Sequence, residues 1–124
     1  MVQQDVILRQ VQQLAQALAL ALFHKRAEQP EQAQEALAAG LAGALGLELE
    51  ALCRLPREDV LARCLPDGAR SDESALAVAD VLRETDSAAG WRRALWLYEA
   101  VLSSGGAVPF DVHERIEALR ARLP

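Results

Sequence analysis

The chain has 124 residues, of which 52% are hydrophobic, 25% charged and only 4% aromatic. That length suits one domain with one core, and the composition excludes a disordered chain. A formal net charge of −5, from 13 basic and 18 acidic residues, comes without a basic stripe and argues against binding a nucleic-acid backbone.

Ala and Leu supply most of the apolar residues, while β-branched and aromatic residues are sparse. Both Ala and Leu favour helix, so an all-α fold is expected. The pattern predicts one compact bundle of antiparallel helical hairpins over 1–124. It divides into a hairpin over 2–46, short inserted helices over 47–66, and a hairpin plus closing helix over 71–123.

A first helix is predicted from Val2 to Glu28, with Ile7, Val11, Leu14 and Leu18 on one stripe and Leu8, Ala15 and Leu22 widening it. Arg9, Gln12, Gln13 and Gln16 start the opposite face, which Leu20 and Phe23 then turn apolar. The second half of this helix is therefore expected to be covered on two sides. His24, Lys25 and Arg26 complement the helix dipole at its C-terminal end. Leu14 to Phe23 is apolar except for Gln16, a run far shorter than the roughly 20 residues of a membrane span. The opening Met1-Val2-Gln3-Gln4-Asp5 lacks the positive start of a signal peptide. The expectation is a cytoplasmic protein without a membrane association.

Pro30 suits the first position of a second helix, whose apolar set is Ala33, Leu37, Leu41 and Ala44. Gly40 and Gly43 weaken that helix unless another backbone comes close, and Gly46 is a stop. In the middle, Leu49, Leu52 and Cys53 face the core, Pro56 opens a short helix closed by Leu61, Cys64 and Leu65, and Pro66-Asp67-Gly68 is a turn. Cys53 and Cys64, eleven positions apart, could form one disulfide, but reduced buried thiols are the expected reading; no Cys-x-x-Cys pair suggests a metal or redox site.

Ser71, Asp72 and Glu73 start the next helix, which buries Ala75, Val78, Val81 and Leu82 and is broken at Asp86-Ser87. A helix from Trp91 to Ser103 follows, with a core arc of Trp91, Ala94, Leu95, Tyr98, Val101 and Leu102, ended by Gly105-Gly106. Asp111 and Glu114 are spaced as a capping box for the last helix, striped by Val112, Ile116, Leu119 and Leu123.

Ala33, Leu37 and Gly40, and again Ala94, Tyr98 and Val101, follow a small–large–small spacing. The preceding helices carry Ala17, Leu20 and Ala21, then Val78, Val81 and Leu82. This pattern resembles the tetratricopeptide repeat, and the overall order is similar to a bacterial helical family of unknown function. The resemblance implies a hairpin fold and no particular activity. The small anchors stand 61 positions apart (33 to 94), unlike the roughly 34 of tandem repeats. Two hairpins with a helical insert are therefore expected.

Trp96 lies almost opposite the expected core arc, beside Arg92, Arg93 and Ala100. An exposed Trp next to Arg is the composition of a binding hot spot; cover by the middle segment or the last helix is the alternative. Ile7, Leu8 and Val11 either pack under the last helix or form a homodimer seam. His24 and His113 are solitary, so no metal site is assembled around them. Asp80, Glu84 and Asp86 lack a nucleophile or second acidic pair and read as a solvated face. Ser103-Ser104-Gly105-Gly106 lacks the features of a phosphate loop. The expected function is a non-enzymatic protein–protein interaction module for a protein or peptide, without cofactor. The alternative is a homo-oligomeric structural or regulatory bundle that self-associates through its N-terminal helix.

Overall fold

A computed structural model describes residues 2–65, 72–105 and 108–124, with side chains from Val6 onward. The described residues form helices α1 (Val2–Arg26), α2 (Pro30–Leu45), α3 (Leu49–Leu52), α4 (Arg57–Cys64), α5 (Asp72–Arg83), α6 (Ala88–Ser103) and α7 (Val112–Arg122). Among them there is no strand. The Pro66-Asp67-Gly68 turn, Ser71 and Gly106 lie outside the described residues.

Helices α1 and α2 form the first antiparallel hairpin. The helix α1 ends two residues earlier than expected, because Glu28 takes a left-handed conformation at φ 58° and reverses the chain. Pro30 then occupies the first turn of α2. Along the hairpin, Gln10 Nε2 donates to the Ala44 carbonyl at 3.0 Å, and Ala17 lies against Gly40. Ala33, Leu37, Leu41 and Ala44 are buried as their spacing requires, joined by Ala36. Gly46 ends α2 in the left-handed region at φ 66°, its N–H capping the Ala42 carbonyl.

The expected backbone approach occurs at Gly40 and not at Gly43. A Cβ at Gly40 would collide with that of Ala17, whereas one at Gly43 meets nothing within 4 Å. Two effects therefore oppose each other in Gly40→Ala. Helix propensity favours alanine by about 1 kcal/mol, while prising apart two packed backbones costs about 1–3 kcal/mol. The steric cost is expected to win, giving a lower urea midpoint for Gly40→Ala and a higher one for Gly43→Ala.

The second hairpin pairs α5 with α6. Its buried face on α5 includes Ala75, Val78, Val81 and Leu82, as predicted, and Ala79. Ser87 caps α6 by accepting from the Gly90 N–H at 3.2 Å, so this helix begins three residues before Trp91. Lys25 Nζ reaches the Glu84 carbonyl at 2.9 Å and the Glu84 carboxylate at 3.0 Å. The C-terminal ends of α1 and α5 thus meet, and the two helices lie parallel. Gln34 of α2 also donates to the Glu84 carbonyl and accepts from the Asp86 N–H at 3.0 Å. Polar side chains of the first hairpin therefore grip the turn of the second.

Helix α6 departs from its predicted arc. Arg93 and Leu97 are buried together with Ala94, Tyr98 and Val101, while Trp91, Leu95 and Leu102 are only partly covered. The helix is packed by α5, α4 and α7 on different sides, so its buried surface is broader than one stripe. Val60 of α4 is also fully buried, although the sequence marked Leu61 there. In α7, Val112, Ile116 and Leu119 are buried. Asp111 makes no capping bond; its carboxylate is held by Arg115, at 3.1 Å from Nε and 3.0 Å from Nη2.

Candidate interaction surface

Helix α1 buries little for the longest helix of the fold: Leu14 and Ala21 are fully covered and Ala17 nearly so. Leu20 and Phe23, expected under a second cover, are 49% and 62% exposed. The helix α2 sits over the Ala17–Ala21 face and covers Leu20 only in part, beside Ala36, Ala39 and Gly40. Leu8 is 53% exposed and Leu22 37%, and Ala15 between them is exposed as well. Ile7 and Val11 are half-buried. Leu8, Val11, Ala15, Leu18 and Leu22 follow one another at intervals of three and four residues, the repeat of a helix–helix seam. Val11, Ala15 and Leu18 form one wall of a shallow apolar groove whose other wall is Leu76 and Ala77 of α5, with Pro109 at its edge. The last helix packs principally on α6, so this stripe keeps a free flank.

The second candidate surface is arranged differently. Trp96 is half-buried and packs against the core cluster. One face of its indole is covered by the Arg93 guanidinium, 4.9 Å from the ring centroid. Arg93 is only 8% exposed, which decides its availability to a partner. Its Nε donates to the Leu52 carbonyl at 3.0 Å, its Nη2 to Leu55 at 2.6 Å and its Nη1 to Ala89 at 3.0 Å. Arg93 therefore serves the fold and turns away from solvent. Arg92 is exposed and Ala100 half-buried.

Titratable groups are drawn into structural pairs. Asp80, expected on a solvated face, is half-buried; its Oδ1 accepts from Tyr98 Oη and, at 2.9 Å, from Arg115 Nη1. Burial, then the Asp80 charge and hydrogen bond, push the Tyr98 phenol well above its ordinary value. Burial pulls the Arg115 guanidinium down, but Asp80 and Asp111 outweigh it and hold it above its ordinary value. Glu84 is paired with Lys25 at 3.0 Å, and the His24 ring lies 2.8 Å from the Gln29 side-chain oxygen. Cys53 and Cys64 are both free; Cys64 is buried and Cys53 half-buried. Burial raises both thiols, Cys64 to about 11, so neither is an activated nucleophile. Among the described residues no group of three His, Cys, Asp or Glu is placed to hold a metal ion.

By length and composition alone, Val6–Arg26 is long and apolar enough to cross a membrane, more so than the Leu14–Phe23 run suggested. Only 17% of an apolar 18-residue window within it is buried inside the fold, so it is no ordinary core helix. Its first half carries Arg9 and four glutamines, groups that are costly in hydrocarbon and ordinary beside another protein. Comparison with family models, curated proteins and solved structures returned no match.

Proposed function

We propose that this chain is a non-enzymatic protein-interaction module made of two tetratricopeptide-like hairpins, and that α1 carries its contact surface. Two features favour the likeness to tetratricopeptide repeats: each hairpin is antiparallel, and the first helices of the two hairpins run parallel. The interaction assignment rests on one observation above others. Leu8 and Leu22 leave more than a third of their surface each in solvent on one stripe of α1, with the exposed Ala15 between them, while Leu20 and Phe23 do so on another side of the helix. An apolar surface of this extent on one element marks a contact site more often than chance exposure does. The proposal moves the contact from Trp96 to α1, because Arg93 and the core already cover much of the indole.

The absence of chemistry is likewise a proposal, supported by how the candidate groups are used. Asp80 is taken by Tyr98 and Arg115, and the thiols are held protonated by burial. Affinity capture with the wild-type chain and with the double variant Leu8→Asp/Leu22→Asp tests the assignment. Loss of the retained proteins by at least about tenfold, with unchanged circular dichroism, is expected if α1 is the contact. Capture of the same proteins at equal yield by both chains would place the contact elsewhere.

A further inference from the structure

We draw no further inference here: the strongest candidate, the apolar groove between the Val11–Ala15–Leu18 stripe of α1 and Leu76 and Ala77 of α5, is an unpartnered face, and nothing in the structure shows what covers it.

Discussion

Replacing Arg93 with alanine is expected to lower stability by about 3 kcal/mol, a large fraction of what a domain of this size has to lose. The four-residue helix α3 is far too short to hold itself, and its last carbonyls have no partner within the helix. Arg93 ties α3 to α6, with Nε on the Leu52 carbonyl at the end of α3 and Nη2 on the Leu55 carbonyl in the turn that follows. Its third bond, to Ala89 one turn back, fixes the side chain in the geometry that reaches them. Removing the guanidinium takes the side-chain partner from the Leu55 carbonyl and one of two partners from the Leu52 carbonyl, which keeps the Leu55 N–H at 3.2 Å; each lost bond costs about 1–3 kcal/mol. Arg93→Lys is expected to recover little, because an ammonium cannot reproduce the planar fork that spans two carbonyls. Urea unfolding measures the effect. A loss under about 1 kcal/mol would mean that water reaches these carbonyls and that Arg93 merely decorates the helix.

Tyr98 should be the second most sensitive position. It is fully buried and donates to Asp80, which Arg115 grips from α7, so the phenol links α5, α6 and α7. Truncation to alanine is expected to cost about 4 kcal/mol through lost burial and the cavity left behind. Tyr98→Phe keeps the ring and removes one donor from a carboxylate that still has Arg115, so about 1–2 kcal/mol is expected. The pH dependence separates the two contributions. The folded phenol ionises above its ordinary value of 10.0, so the stability it confers is complete below that pH and declines as pH rises further. Cys64 acts in the same sense between its ordinary 9.0 and about 11. Thermal melts should therefore fall off above pH 9 in the wild type, and less steeply above pH 10 in Tyr98→Phe. Equal alkaline slopes for both chains would show that Tyr98 titrates as in the unfolded chain.

The elements themselves were legible because helical periodicity and stop residues agree locally. Leu37 and Leu41, Gly46 and the Val78–Val81–Leu82 face need no tertiary knowledge. What escaped are residues whose environment comes from a distant segment. Arg93 looks like half of a surface Arg-Arg pair until α3 and α4 fold over α6. Asp80 looks solvated until Tyr98, 18 positions on, turns toward it. The proposed contact stripe was partly visible: Leu8 and Val11 stood out for lack of a partner. Leu22 did not, because periodicity reports that a stripe is apolar and says nothing of which neighbour stops short of it. Trp96 is more covered than its place opposite the main arc suggests, since neighbours pack around most of the circumference of α6.

The grip of Lys25 and Gln34 on the Glu84–Asp86 turn bears on how the molecule comes apart. These bonds join the end of α1 and the second turn of α2 to backbone groups of the other hairpin. Separating the hairpins as intact bodies would strip those backbone partners at once, together with the apolar contact between α1 and α5. Neither half has an inexpensive route to open alone, which is the condition for a single cooperative unit. Heat or denaturant should thus find one transition in this chain, unlike the stepwise fraying open to a linear array of repeats.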